Sequence, residues 1–310
     1  MKYYGIQNEV KSYVNRLQSE QGITVSSSVI KTINDRVEAL KKSGDWSRFS
    51  LGFNDVDGDA YLTRAGVTDP LGRCEVLWFT RGMKALDLWS KMVCWSLRSY
   101  QNAGTSSTVY SLGGLGIYNG TMTNSPSWST DGIVFSNNTQ YIQYSPNFTV
   151  DFTKAGYNIH CVWSCLGVPI VAGEDLKLFS DSPTNNFNNY ITTAVGGGTT
   201  WFQQSRNYGS RYFGNTGASY IGNVVYTWIA DTRSMLLNNI DSGTSSNATS
   251  TPSNGTYTIR STGRGSATTT PTSRISYLLV FSPNIQMSVA KNLLVHTLTK
   301  STIGNGLGLP

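Results

Sequence analysis

The sequence predicts a mainly β protein, an antiparallel β-sandwich, that follows an α-helical N-terminal region. From Val109 onward, short apolar segments rich in β-branched and aromatic residues alternate with Gly, Pro, Asn and Ser, and no long helical pattern interrupts them. Charge divides at the same place: residues 1–99 contain 14 Lys and Arg with 11 Asp and Glu, whereas residues 100–310 contain 10 and 7. We therefore predict a helical region over residues 1–100 and a β-sandwich over residues 105–310.

The first two helices follow from the spacing of apolar residues. Between residues 5 and 21, apolar side chains recur at intervals of three and four, and Gly22 follows as a stop signal, which predicts an amphipathic helix. A second helix is expected from the capping serines at residues 26–28 to Gly44.

The helical region contains a weak internal repeat. Three short stretches recur in the same order, at residues 13–16, 22–24 and 46–49 and again at residues 61–64, 66–68 and 89–92. We favour duplication of a helix–turn–helix unit over a chance similarity of helical spacing, and each unit ends in a tryptophan. We expect these helices to dock on neighbouring subunits, with Tyr13, Leu17, Trp46 and Trp89 as the residues concerned.

Asp55, Asp57 and Asp59 alternate as they do at the start of a calcium-binding loop. The glycine expected at the sixth position is Ala60, however, and the terminal glutamate is replaced by Gly66. We therefore favour a solvated turn with a helix-capping Asp over a calcium site.

The β region has predicted strands at residues 132–135, 141–144, 157–166, 190–195, 220–229, 234–238, 257–261 and 276–281. The first two are joined by a polar connection and are expected to form the opening hairpin of the sandwich, with Trp128, Ile133, Phe135 and Ile142 in the core. The segment Asp241–Gly255 has no large apolar residue and is predicted to be an exposed loop.

The residues 60–70 read Ala-Tyr-Leu-Thr-Arg-Ala-Gly-Val-Thr-Asp-Pro, and a predicted helix then leads to Leu-Asp-Leu-Trp-Ser-Lys-Met at residues 86–92. This run resembles a helical module of tailed-bacteriophage structural proteins, in which Ala-Gly-Ile-Thr-Asp, an amphipathic helix and Leu-Trp-Asp-Lys-Met precede a β-rich domain. The sequence departs from that pattern at Ser90, where the family often has Asp. The resemblance covers about a tenth of the chain and implies a virion protein.

A second resemblance covers roughly residues 109–300. An early Trp-Ser-Thr-Asp-Gly-Ile-Val-Phe and Tyr-Ile-Gln-Tyr pair, and a final strand that ends in Phe281, resemble the concanavalin A-like, laminin G-like jelly roll. In that family the final strand leads into a short helix that closes the domain. The resemblance implies a fold and leaves the ligand open.

No catalytic constellation is recognisable. Glu174 and Asp175 are adjacent and would face opposite sides of a strand, so they could not flank one glycosidic bond. His160 and His296 have no nucleophile motif nearby, and His160 is expected to be an interior residue. We therefore predict no enzyme activity, no cofactor and no metal site.

Cys161 and Cys165 are expected to be reduced thiols. On one strand their Cα atoms would be roughly 13 Å apart, whereas a disulfide tolerates up to about 7 Å.

One loop-rich stretch, residues 199–213, combines two arginines with five aromatic residues. Aromatic side chains suit recognition of sugars and protein surfaces because they bury a large area at little entropic cost. The residues expected to contact a glycan or a partner are Trp201, Arg206, Tyr208, Arg211 and Tyr212. The stretch also suits a pair of strands whose aromatic residues fill the core, an interpretation that the sequence slightly favours while leaving both open.

These features predict a non-enzymatic structural component of a phage virion, made in the host cytoplasm. The helices would dock on other virion proteins, and the jelly roll would be displayed as a decoration, tail fibre or host-attachment domain, with a host surface glycan as a further partner. By analogy with such proteins we expect a homo-oligomer. The alternative is a free carbohydrate-binding lectin or a glycan-degrading protein of the same fold.

Two classes of partner are not expected. The net charge is +6, but no run of Lys and Arg forms the patch that a nucleic-acid reader needs. No window approaches the ~20 apolar residues of a membrane-spanning helix, so we expect no membrane insertion.

Overall fold

The computed structural model describes residues 7–137 and 139–150, the strands named below between residues 155 and 281, and residues 282 and 288–307. Side chains are described for residues 7–137, 139–147, 260–261, 274–282, 288 and 290–307. The helices are α1 (Asn8–Gln21), α2 (Ser27–Ser43), α3 (Asp45–Arg48), α4 (Val56–Arg64), α5 (Pro70–Ala85) and α6 (Val289–Ser301). Short 3-10 turns cover Trp89–Lys91 and Gln101–Gly104.

The two predicted N-terminal helices are confirmed as α1 and α2. The Ser26 hydroxyl accepts a hydrogen bond from the Val29 amide and caps α2, as expected. Gly22 and Gly44 follow α1 and α2 with φ angles of 65° and 82°, a left-handed conformation that glycine adopts without steric cost.

The strands are β1 (Met92–Ser96), β2 (Thr108–Val109), β3 (Asn119–Thr123), β4 (Ser127–Ser129), β5 (Gly132–Phe135), β6 (Tyr141–Ser145), β7 (Phe148–Val150), β8 (Ala155–Leu166), β9 (Asp175–Ser180), β10 (Asn188–Thr193), β11 (Thr200–Gln204), β12 (Arg211–Asn215), β13 (Ile221–Ile229), β14 (Thr232–Leu237), β15 (Ile240–Ser246), β16 (Gly255–Tyr257), β17 (Arg260–Gly265) and β18 (Thr272–Phe281). All strand pairs are antiparallel where the structure describes them. Each predicted strand overlaps a strand of the structure, and the predicted strand 257–261 covers the end of β16 and the start of β17.

Two large sheets form the sandwich. The first sheet has the order β15-β14-β13-β8-β18-β5-β4, with β1 also paired to β18. The second sheet has the order β12-β11-β10-β9-β17-β6-β3-β2, and β7 pairs separately with β16. The predicted fold class, an antiparallel β-sandwich of jelly-roll type with N-terminal helices, is confirmed.

The predicted opening hairpin is wrong. β5 pairs with β4 and β18 in the first sheet, whereas β6 pairs with β3 and β17 in the second. The chain therefore passes from one sheet to the other between Phe135 and Tyr141. The buried Gln140 side chain accepts from the Ser136 amide and donates to the Ser125 carbonyl. Both strands direct apolar residues into the space between the sheets. Such a pattern is expected for two strands on facing sheets as well as for the two strands of one hairpin, so it could not distinguish them.

Three of the four predicted core residues are confirmed: Ile133, Phe135 and Ile142 are fully buried. Trp128 is only half-buried, and its indole nitrogen donates to the Ser106 carbonyl at 2.7 Å. The Ser106 carbonyl thus satisfies the indole nitrogen of a ring that lies at the margin of the core.

The predicted loop over Asp241–Gly255 is wrong in its first part, because β15 extends to Ser246. β15 lies at the end of the first sheet, and among the described strands it pairs with β14. An antiparallel sheet can expose one face to solvent, so its strands need not be apolar throughout, and a run of Ser and Thr can form one. Residues 247–254 lie outside the described residues.

The helical region and the first sheet share one apolar core. β1 lies within the region predicted to be helical, yet it pairs with β18 over five residues. The core includes residues of α1, α2, α4 and α5 together with Tyr277, Leu279 and Phe281 of β18 and Leu298 of α6. The predicted division into 1–100 and 105–310 stays a prediction about folding units.

The two copies of the internal repeat resemble each other at the turn between their helices, although α4 has 9 residues where α1 has 14. We name residues 7–54 the first unit and residues 55–97 the second unit. Gly66 follows the first helix of the second unit with a φ angle of 58°, close to the 65° of Gly22 in the first unit. The repeat therefore extends from the sequence to the backbone.

Tyr13 and Tyr61 occupy equivalent positions, 48 residues apart. Burial raises the pKa of each phenol well above its ordinary value of 10.0. The Tyr13 hydroxyl donates to the Pro70 carbonyl at 3.0 Å, whereas the Tyr61 hydroxyl has no hydrogen-bond partner among the described residues. Equivalent tyrosines thus differ in whether burial of the hydroxyl is compensated.

We expect Tyr61→Phe to keep or raise stability, because it removes an uncompensated buried hydroxyl. Tyr13→Phe should cost about 0.5–1.5 kcal/mol, since it removes a formed hydrogen bond.

The raised pKa of Tyr61 also predicts a pH dependence. A phenol whose pKa is raised by folding contributes stability below its unfolded pKa, and that contribution is lost as the pH rises. Tyr61→Phe should therefore weaken the loss of stability above about pH 10. Urea unfolding at pH 7 and pH 10.5 tests both points; a Tyr61→Phe variant less stable than Tyr13→Phe would contradict them.

Candidate functional site

The stretch predicted to contact a glycan or a partner contributes two paired strands, β11 and β12, at one end of the second sheet. β11 pairs with β12, which places Gln203 beside Tyr212 and Gln204 beside Arg211. Trp201 lies in β11, where the register shifts. Arg206 and Tyr208 lie outside the described residues. The interpretation of this stretch as a pair of strands is therefore correct for the backbone, and its role in contacts stays a prediction.

The residues predicted on the docking helices pack inside the chain to different extents. Tyr13 and Leu17 are 2% and 0% exposed. The Tyr13 ring stacks on Phe53 with 4.6 Å between ring centroids. Trp46 and Trp89 are half-buried. Tyr13 and Leu17 thus stabilise the helical region itself, and a partner would have to meet other side chains of α1.

In the first unit, a lysine joins both helices to the tryptophan. Lys41, near the end of α2, contacts the Gln7 and Glu9 side chains at the start of α1. Its amine also lies 5.4 Å from the centroid of the Trp46 ring. This contact orients Trp46 against the end of α2 by a cation–π interaction.

The second unit repeats this arrangement. Lys84, near the end of α5, lies 2.8 Å from an Asp55 carboxylate oxygen and 2.6 Å from one of Asp57. Its amine is also 5.4 Å from the Trp89 ring centroid. The Asp55 carboxylate accepts from the amides of Asp57 and Gly58, so the predicted helix-capping role is confirmed.

Asp59, the third carboxylate of the calcium-like run, pairs with Arg16 at 3.2 Å. All three aspartates thus have cationic partners. No group of three or more His, Cys, Asp or Glu that could hold a metal ion occurs in the described part of the chain.

An open cleft of about 590 Å³ lies between α1, the segment from Trp46 to Asn54, and Arg81 of α5. Its lining combines the aromatic residues Tyr13, Trp46 and Phe53 with polar side chains of α1. The Arg81 guanidinium donates to the carbonyls of Ser50 and Asn54 and so holds one wall in place.

On another side of the helical region, a buried carboxylate connects four parts of the chain. Glu75 of α5 is 2% exposed, and its two oxygens lie 3.2 Å from Arg36 of α2 and 3.2 Å from Arg98, which follows β1. Asn305 donates to it from the C-terminal segment at 3.3 Å. Burial raises the pKa of Glu75 although both guanidinium groups act in the opposite direction.

The other residues considered for chemistry fall in different places. His296 lies in α6 and is buried, and His160 lies in β8. Cys161 and Cys165 both lie in β8, which is the strand geometry that the prediction of reduced thiols requires. Asp175 begins β9, and Glu174 lies outside the described residues. None of the helices that the structure describes is long and apolar enough to span a membrane.

The cleft and the Lys–Trp contacts were not predicted. The repeat aligned the two tryptophans, but the lysines follow only from their common offset of 43 residues. The cleft depends on the positions of α1 and α5 in space, and no pattern along the chain indicates it.

No family model matches the chain, and no curated protein matches it. Among solved structures, the chain is similar to the binding domain of botulinum neurotoxin serotype D, with a TM-score of 0.50 and 10% identity over 68% of this chain and 53% of that one. It is also similar to a Trypanosoma rangeli sialidase in complex with sialic acid, with a TM-score of 0.44, 10% identity and coverage of 70% and 33%. A third similar structure is domain 4 of a GH43 extracellular arabinanase from Geobacillus stearothermophilus in complex with arabinotriose, with a TM-score of 0.39, 11% identity and coverage of 67% and 87%.

The chain thus spans about half the length of the neurotoxin domain that it matches. At this level of identity, the likeness bears on the fold alone. It agrees with the two antiparallel sheets described above: the chain is a β-sandwich of the jelly-roll type that carries helices at its N-terminus.

Proposed function

We propose that the chain is a non-enzymatic structural component of a tailed-phage virion, in which a helical base docks on neighbouring subunits and displays the β-sandwich as a binding domain. The observation that carries this proposal is the core shared by the helices and the first sheet. A continuous apolar core joins the helical base to the sandwich without a flexible linker. The sandwich would therefore be held in a fixed orientation when the base is bound to a neighbouring subunit.

The order of the second sheet supports a display role. The Arg64 guanidinium of the helical base donates to the Ser111 carbonyl at 2.6 Å, beside β2 at one end of that sheet. The paired strands β11 and β12 are at the opposite end of the strand order. A partner that meets these strands would therefore approach at the edge farthest from β2.

The virion is proposed because of the resemblance of residues 60–92 to a phage helical module. Mass spectrometry of purified particles tests it: peptides from both the helical region and the β-sandwich are expected in the particle fraction. Their absence from washed particles, with the protein present in the soluble lysate, would overturn the virion assignment.

A second candidate function is a free carbohydrate-binding or glycan-degrading protein. The likeness of the sandwich to a structure described as a binding domain favours it. Both candidates place recognition in the sandwich, so they differ in whether the chain belongs to a particle and whether it releases sugar products.

A glycan array probed with the full chain tests recognition by β11 and β12. We expect Trp201→Ala to weaken any selective binding about tenfold, which corresponds to ~1.4 kcal/mol. Gln204→Ala in the same strand is the matched control and should bind as the unchanged chain does. Equal binding by both variants would exclude Trp201 as a contact, and oligosaccharide release in the product analysis would contradict a non-enzymatic role.

A further inference from the structure

The helical base, α1 to α5, is built around a helix that is covered on all sides. In α5 the residues from Gly72 to Thr80 are buried without a break, and Gly82 and Met83 are buried as well. The unbroken run makes about 2.5 turns, so no face of the helix is left to solvent there. The helix packs against α2 and α4 of the base and also against α6. Part of its cover therefore comes from a much later part of the chain.

This later part closes one side of α5. We name residues 288–307 the C-terminal clasp. A Cβ atom on Gly82 would lie 2.4 Å from Cδ1 of Leu298, so α5 and α6 pack too closely there for a side chain on α5. Leu298, Ile303 and Leu307 belong to the same apolar core as the buried residues of α1 and α2. Displacement of the clasp would therefore expose a core that α1 and α2 share.

The clasp also supplies acceptors to two arginines whose side chains are largely buried. Arg36 of α2 and Arg98 are 18% and 16% exposed. The Arg36 guanidinium donates to the Ser301 carbonyl at 2.8 Å. The Arg98 guanidinium donates to the carbonyls of Ile303 and Asn305 at 3.1 and 3.3 Å. A buried donor that loses its acceptor is destabilising, so α2 depends on the clasp through polar contacts as well as through the core.

The two sheets, by contrast, are complete before the clasp begins. β18 ends at Phe281, and no strand that the structure describes lies within the clasp. Because a chain is synthesised from its N-terminus, all of these strands are made before the clasp. A chain whose clasp is missing or displaced can therefore pair its sheets while α5 is still uncovered on one side.

We propose that the C-terminal clasp is a conformational switch for docking. The helical base takes its docking form when the clasp closes on α5 and on the two arginines, and the base is open in a chain whose clasp is displaced. The proposal rests on the docking role given to the helical base and adds the condition under which that role is exercised. Its consequence is that unfinished chains, which have strands but no closed clasp, are kept out of assemblies.

Hydrogen exchange of the full chain, followed by mass spectrometry, tests the switch. Ile303→Asp places a charge at a position that is 1% exposed and should displace the clasp. We expect the exchange of α1 and α2 to rise about tenfold or more, whereas β3 and β6 of the second sheet keep their protection. Lys300→Asp introduces the same residue at an exposed position of α6, and this matched control should leave both regions unchanged.

Two results would overturn the switch. One is unchanged exchange in α1 and α2 of Ile303→Asp, and the other is an equal loss of protection in the base and the second sheet, because the two would then open as one unit. If Ile303→Asp does not fold, Asn305→Ala decides, since it removes one donor from the buried Glu75 carboxylate. It should raise exchange in α2 about twofold without affecting β6, and any other pattern refutes the switch.

Incorporation into particles separates the switch from the virion assignment. Ile303→Asp should be depleted about tenfold or more from purified particles relative to Lys300→Asp. Equal incorporation of the two variants would refute the switch and keep the virion assignment. Selective opening of the base in a chain that never enters particles would refute the proposed function and keep the clasp as a device of the fold.

Discussion

Glu75→Ala is expected to lower the free energy of unfolding by about 3–5 kcal/mol. Its carboxylate is the acceptor for Arg36, Arg98 and Asn305, and the variant would leave two largely buried guanidinium groups without their counter-charge. The same guanidinium groups donate to carbonyls of Ser301 and Ile303, so loosening of the C-terminal segment should accompany the loss. Urea unfolding at pH 7 measures the energy, and hydrogen exchange in α6 measures the loosening.

Glu75→Gln is the matched control, because it keeps the size and one acceptor oxygen and removes the charge. Burial raises the pKa of Glu75 above its ordinary value of 4.5. A carboxyl whose pKa is raised by folding contributes stability below its unfolded pKa and loses that contribution as the pH rises through the folded pKa. The stability of the unchanged chain relative to Glu75→Gln should therefore be greater near pH 4 than at pH 7. A relative stability that rises with pH would contradict this sign.

Trp95→Ala is expected to cost about 3–5 kcal/mol, the usual range for deleting a large buried aromatic side chain. Trp95 of β1 is fully buried, and its ring centroid lies 4.2 Å from that of Tyr144 in β6 of the opposite sheet. Its indole nitrogen donates to the Tyr118 carbonyl at 2.5 Å. This one side chain therefore connects the strand that follows the helical base with both the second sheet and the chain that enters it.

Two further variants grade the effect of Trp95→Ala. Trp95→Phe keeps the aromatic ring and leaves the Tyr118 carbonyl without this donor, so it should cost about 1–3 kcal/mol. Trp128→Ala, at a half-buried position, should cost less than Trp95→Ala because less apolar area is lost. Chemical unfolding that ranks Trp128→Ala above Trp95→Ala would show that the contact between β1 and β6 does not hold the sheets together.

The pattern along the chain was sufficient to predict several strands of the sandwich and the first two helices, whereas strands such as β1, β3, β9 and β15 were not predicted. Residues 157–166 contain Ile159, Val162 and Trp163 with no Gly or Pro, which predicts a strand, and they form most of β8. The helix over Ser27–Ser43 has a serine cap, regular apolar spacing and a terminal glycine, and each of these signals is local. Local signals of this kind need no information about distant parts of the chain.

Pairing could not be predicted in the same way. β5 and β6 are close in sequence and carry matching patterns, but they lie in opposite sheets because each satisfies its backbone with strands far along the chain, β18 and β17. β1 follows the helices directly, and only its pairing with β18 places it in the sandwich. Main-chain hydrogen bonds have the same chemistry at every strand, so the sequence of one strand does not identify its partner.

In the candidate sites, too, some features follow from local sequence and others depend on contacts between distant segments. The repeated tryptophans and the capping Asp55 follow from residue types and their spacing, whereas the sequence left open whether residues 199–213 form strands or a contact loop. The cleft beside Trp46 and the Glu75 cluster exist only because α1, α2, α5 and the C-terminal segment converge, over separations of up to 265 residues. The sequence by itself determined which of these segments become helices and strands, because that choice depends on neighbours along the chain. The tertiary structure decided which surfaces are buried, paired or left open, because that depends on which distant segments meet.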